Sequence, residues 1–184
     1  MKINFYAFKA IYFHEMDRFR RTLTQSLLSP VLTTSLYFIV FGSVIGGYVE
    51  KIDGISYGSY IVPGLLMLTL LTQSISNTSF GIFFPKFNGT IYEILAAPIS
   101  TLEVVLAFVG AGATKTLIVS IIIFITSLFF VDVQVKYPLL MIFLLILVAF
   151  TFALFGFLIG LMSSDFEQMS IIPTLFVTPM VFLG

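Results

Sequence analysis

No Asp, Glu, Lys or Arg occurs between Thr22 and Val49 or between Gly54 and Pro85, and Val104 to Val131 carries Lys115 alone. Runs of this length constrain the fold more than any short motif does. About 30 Å of hydrocarbon is crossed by roughly 20 residues rising about 1.5 Å each, and a helix satisfies its own backbone polar groups where no water can. Only 10% of the residues are charged, whereas soluble domains carry about 25%, so membrane lipid is the expected solvent. The predicted fold class is therefore an all-α integral membrane protein, a polytopic helical bundle forming a single transmembrane domain over residues 1–184. Spans are expected at 27–49, 58–84, 108–131, 138–162 and 170–184. The last holds only fifteen residues, too few to cross, so the chain is expected to be C-terminally incomplete, an N-terminal piece of a longer protein.

Ahead of the first span, Phe5, Phe8, Tyr12, Met16, Phe19 and Leu23 recur at spacings of three and four, while Lys9, Arg18, Arg20 and Arg21 fall largely on other faces. This pattern predicts an amphipathic helix within 1–26, rich in aromatics and Arg and suited to the headgroup region. Charges persist through Arg21, which does not fit a cleavable signal.

The basic residues orient the chain. Lys2, Lys9, Arg18, Arg20, Arg21 and Lys86 fall on one side of the expected spans and only Lys51 and Lys136 on the other, so the N-terminus is expected in the cytoplasm. The polar island Phe84–Ser100 then lies in the cytoplasm as well, between spans two and three.

Lys115 is an exception inside a span. A lysine at the bilayer centre costs about 2.5–3.5 kcal/mol on insertion scales. Near the inner boundary, its stem can snorkel to the headgroups; the functional alternative is a cation on a substrate path. On span two, Thr69, Thr72, Gln73, Ser76 and Asn77 share one side of the helix. A polar stripe in lipid turns inward, either to bond a neighbouring helix or to line a hydrated path, and Gln73, Ser76, Asn77 and Lys115 are the candidate path residues. Gly42-x-x-x-Gly46 and Gly156-x-x-x-Gly160 each place two glycines on one helical face, where a second backbone can approach closely within the subunit or across a dimer.

Several functions are disfavoured. Nine basic and nine acidic residues leave no excess of charge for nucleic acid. There is no cysteine, and the one histidine, His14, lies in the amphipathic segment, so no metal site and no catalytic constellation is expected. GAGATKT at Gly110–Thr116 lacks the glycines of a phosphate loop, having Thr114 and Val109 at those places. Asn77 and Asn88 match the glycosylation pattern but are expected within the membrane and in the cytoplasm. A transporter that works alone or an intramembrane enzyme usually carries an acidic group or His at depth, and every acidic residue here is expected in a loop, near an end or outside the spans.

The chain resembles the membrane subunit of ABC type-two exporters, permeases that pair with a separate ATP-binding subunit and export drugs, polysaccharides or lipids. The resemblance rests on the basic cluster Arg18, Arg20 and Arg21, on FIVFGSVIGG in span one and SYIVPGLLML opening span two, on YEILAAPIS in the island, and on PTLFVTPMVFLG at the end. The island and the last stretch are the most specific, with Glu93 and Pro98 matching the first and Pro179 to Gly184 the second. The resemblance implies six spans, of which about five are visible, in a bacterial inner (plasma) membrane. It also implies a homodimer of permease subunits and an ATP-binding cassette ATPase that carries the ATP and magnesium, leaving this chain without a cofactor. The island would act as a coupling helix on that ATPase, with Ile91, Ile94 and Leu95 seated in a groove, Lys86 and Glu93 making polar contacts, and Pro98 punctuating the end. The rival readings are a secondary transporter or channel working alone, a lipid-modifying membrane enzyme, and a structural scaffold.

Overall fold

The computed structural model describes residues 4–41, 51–52, 55–133 and 135–183, with side chains left undescribed at 51–52, 176, 178 and 180–183. Seven helices make up nearly all of it: α1 Phe5–Arg21, α2 Leu23–Val40, α3 Tyr57–Phe87, α4 Ile91–Ala96, α5 Thr101–Leu128, α6 Pro138–Met162 and α7 Phe166–Leu183. A two-residue antiparallel ribbon, β1 Lys51–Ile52 with β2 Ile55–Ser56, precedes α3. Among the described residues, α2, α3, α5 and α6 are long and apolar enough to cross a membrane. The fifth expected span begins inside α7. Gly42 and Gly46 lie outside the described residues.

The ends of these helices follow from local chemistry. Asn88 and Gly89 close α3, and Gly89 takes a φ of 80°, a left-handed conformation that glycine adopts without Cβ strain. At the start of α5 the Ser100 hydroxyl accepts from the Glu103 amide at 3.3 Å, and the Glu103 carboxylate accepts from the Ser100 amide at 2.9 Å. This reciprocal cap is readable from the Ser-x-x-Glu spacing. Pro138 occupies the first turn of α6, where its missing N–H costs nothing.

Helix α3 is the hub, packed against α5, α6 and α7. Its tightest neighbour is α6, whose Ala149, Ala153, Gly156 and Gly160 recur along one buried face. A Cβ at Gly156 would stand 2.5 Å from the Ile75 carbonyl oxygen and 2.8 Å from its Cα, and one at Gly160 would stand 2.9 Å from the Ser79 Cα. Two glycines four apart thus meet two α3 residues four apart, backbone against backbone. Ser74 strengthens the seam by donating 2.6 Å to the Ala149 carbonyl. Gly112 gives α5 a comparable approach to α3 at Thr78.

Helices α1 and α2 run alongside α5. Asn4 donates its amide to Glu103, the Tyr12 hydroxyl donates 3.0 Å to Thr114, and Phe38 stacks on Phe130 at 5.6 Å. Contacts therefore follow α5 along its length, in the same direction.

Candidate functional site

The polar island forms a turn, the short helix α4 and an extended exit. Spacing puts Ile91 and Ile94 on one side of α4, and both pack against the hydrophobic core. Tyr92, Glu93, Leu95 and Pro98 face outward, with Tyr92 73% and Leu95 68% exposed. Of the three apolar residues expected to seat in a partner groove, Leu95 is exposed, while Ile91 and Ile94 are half-buried and pack against the helix's own bundle. Tyr92, not singled out from the sequence, completes the exposed face. Lys86 is likewise committed internally. Its ammonium donates 2.8 Å to each of the carbonyls of Leu161 and Ser163, at the C-terminus of α6, where the last carbonyls lack helical partners and the dipole favours a cation.

A groove of about 820 Å³ opens between the α1–α2 junction, α3 and α7, with Lys115 of α5 at its base. Ser76 and Asn77 line it. Gln73 lies one turn away on α3 and accepts 3.3 Å from the Asn77 amide. Thr69 and Thr72, from the same stripe, donate to the Leu65 and Leu68 carbonyls of their own helix at 2.9 and 2.8 Å. Leu68, Phe80, Pro173 and Val177 supply apolar walls.

The expected snorkelling of Lys115 does not occur. Its side chain is 3% exposed, and its ammonium meets Glu15 Oε2 at 2.8 Å; Glu15 is equally buried. Arg18 Nη2 reaches the same oxygen at 2.8 Å, and its guanidinium lies 5.3 Å from the centre of the Phe80 ring. The α1 helix thus carries a carboxylate to a buried position on α5, whereas all acidic residues were expected away from the spans. The signal lay in the spacing: Glu15 is three residues after Tyr12 and four before Phe19, on the apolar face of α1.

Long apolar helices packed through small residues, with a polar groove between three of them and a short amphipathic helix in the intervening loop, define a multi-pass helical membrane protein. The chain belongs to the ABC-2 type transporter family, whose description matches residues 6–184. It is 38% identical over 184 residues to the inner membrane transport permease YadH of Escherichia coli strain K12, covering 100% of this chain and 72% of that protein. The permeases of the same name from Escherichia coli O157:H7 and Shigella flexneri match to the same extent. No solved structure matches the chain. This is a transport permease and a multi-pass inner-membrane protein.

Proposed function

We propose that the chain is the membrane subunit of an ATP-driven exporter, with the outer face of α4 as its contact to a separate ATP-binding cassette ATPase. The observation that carries this reading is the division of α4. Ile91 and Ile94 fix it to the bundle, while Tyr92 and Leu95 are offered to a partner beside the charge of Glu93. A large aromatic beside an aliphatic residue is a common anchor for binding in a groove. Force applied at α4 reaches α3 directly through the Asn88–Gly89 turn, and reaches α6 through Lys86.

ATP and magnesium then belong to the partner, and a second permease subunit completes the transport unit. The N-terminus and the island lie in the cytoplasm, in keeping with the distribution of Lys and Arg. The groove between α2, α3 and α7 serves as part of the cargo path, with Ser76 and Asn77 on its wall and Gln73 supporting Asn77. Nucleotide-driven closure would shift the population between two arrangements of the helices around it.

Co-purification of the full-length permease with its ATPase tests the contact. Tyr92→Asp and Leu95→Asp are each expected to weaken the complex by about tenfold or more, as loss of a buried anchor does, with unchanged yield and melting temperature of the permease. Retention of the ATPase by both variants would place the contact elsewhere.

A further inference from the structure

The groove has an unbalanced charge. Its wall holds two cations, Arg18 and Lys115, and none of the described residues lining it is acidic. Glu15, which is not among the described residues lining the groove, offers a single carboxylate oxygen to both, at 2.8 Å each. One negative charge against two positive charges leaves the cluster at +1. Asp17, the next acidic residue of α1, instead faces Arg20 at 3.7 Å on the exposed side.

Lys115 is buried and Arg18 keeps part of its side chain exposed, so the excess positive charge of the cluster favours an anion in the groove. Here the donors for one are in place. Lys115 spends one of its three N–H groups on Glu15, and Arg18 spends one end of a guanidinium that is 25% exposed toward the groove. Ser76 and Asn77 add a hydroxyl and an amide to the same cavity, while Leu68, Phe80, Pro173 and Val177 provide an apolar surface beside it. Cationic donors next to an apolar wall match a molecule with an anionic oxygen-rich head and a hydrocarbon tail.

We infer that Arg18 and Lys115, with Ser76 and Asn77, form a binding site for the anionic headgroup, phosphate in chemistry, of an amphiphilic ligand. Glu15 tunes this site by cancelling one of its two charges. The inference rests on the reading of the groove as the cargo path and assigns that path a substrate class.

The test varies the charge of the cluster in the full-length permease bound to its ATPase. Glu15→Gln raises it to +2, Lys115→Met lowers it to zero, and the double variant returns it to +1. Native mass spectrometry would follow binding of phosphatidylglycerol against phosphatidylcholine with the same chains. The wild type is expected to prefer phosphatidylglycerol by about tenfold. Glu15→Gln should raise phosphatidylglycerol affinity by about tenfold, Lys115→Met should lower it by about as much, and the double variant should return close to wild type, since a unit charge at contact distance in a protein is worth at least that factor. Both single variants break the same ion pair, so a merely structural role moves them in the same direction; that result, or equal binding of the two lipids, overturns the inference. Arg18→Gln, at a partly exposed position, gives a second route to zero charge with less risk to folding.

Inorganic phosphate distinguishes the source. If it displaces phosphatidylglycerol with the same ranking of variants, the head alone is recognised and a soluble phosphate compound qualifies. If it does not, the ligand is a lipid. ATP hydrolysis by Ser76→Trp in phosphatidylglycerol nanodiscs separates this inference from the path reading. Loss of hydrolysis with no charge ranking keeps the path and removes the anionic class. A charge ranking with hydrolysis at the wild-type rate keeps the anionic site and removes the path. Failure of both removes both.

Discussion

Glu15 and Lys115 meet at 2.8 Å with only 3% of each side chain exposed, and a pair so placed is felt chiefly when it is broken. Removing one partner of a buried ion pair leaves an uncompensated charge and costs about 3–5 kcal/mol, whereas replacing both by neutral groups of similar size is often close to neutral. Lys115→Met is therefore expected to lower the melting temperature of the purified permease clearly, and adding Glu15→Gln to recover most of the loss. An additive double variant would show that the two residues are not coupled. The exposed Arg20–Asp17 pair, at 3.7 Å, is the comparison: Arg20→Gln should change stability by less than about 1 kcal/mol. Lys115 was conspicuous in the sequence because it interrupts an apolar run. Its partner was not, since the two are 100 positions apart and Glu15 sits among other charges in the chain. Only the face of α1 on which it falls gave a hint.

At the scale of elements, the seam between α3 and α6 depends on residues with no side chain. Gly156 and Gly160 leave no room for a Cβ against Ile75 and Ser79, while a Cβ at Gly64 of α3 would meet nothing within 4 Å. Gly160→Leu must push the two backbones apart, which costs about 1–3 kcal/mol or more, and Gly64→Leu should cost little. Thermal unfolding of the two variants side by side checks this; equal losses would mean that the α3–α6 approach is not the limiting contact. The glycine spacing was legible in advance, but its partner was not, because a glycine face fits any helix that presents small residues. Helix α4 makes the same point. Its sequence marked an amphipathic segment in water, yet which of Ile91, Tyr92, Ile94 and Leu95 turned outward depended on the direction from which α3 and α5 enter it.

Across the whole molecule, polar features gather at two ends. At one, the β1–β2 ribbon precedes α3, where the Ser59 hydroxyl donates 3.0 Å to the Asp132 carbonyl in the α5–α6 turn. At the other, the α4 loop, Lys86 and the start of α7 come together, with Phe166 edge-on to both Phe83 and Phe87 at 4.9 Å. Helices α3 and α5, with 31 and 28 residues, are about 46 and 42 Å long and exceed the hydrocarbon layer of about 30 Å, so parts of both stand in the headgroup region or water. Because the chain has no cysteine, single cysteines report these ends cleanly. Glu93→Cys is expected to react with a membrane-impermeant maleimide only in opened cells, and Lys136→Cys in intact cells; the opposite pattern would invert the orientation. The sequence alone determined that the chain is a helical membrane protein and where its long apolar helices lie, because hydrocarbon imposes its length and polarity on each segment independently of the others. Only the tertiary structure decided that α1 delivers Glu15 to Lys115, that Ile91 and Ile94 pack against the bundle, and that Lys86 caps α6. Each of these joins residues distant in the chain through the geometry of packed helices, and the cost of leaving a buried charge or an end carbonyl without a partner selects that geometry.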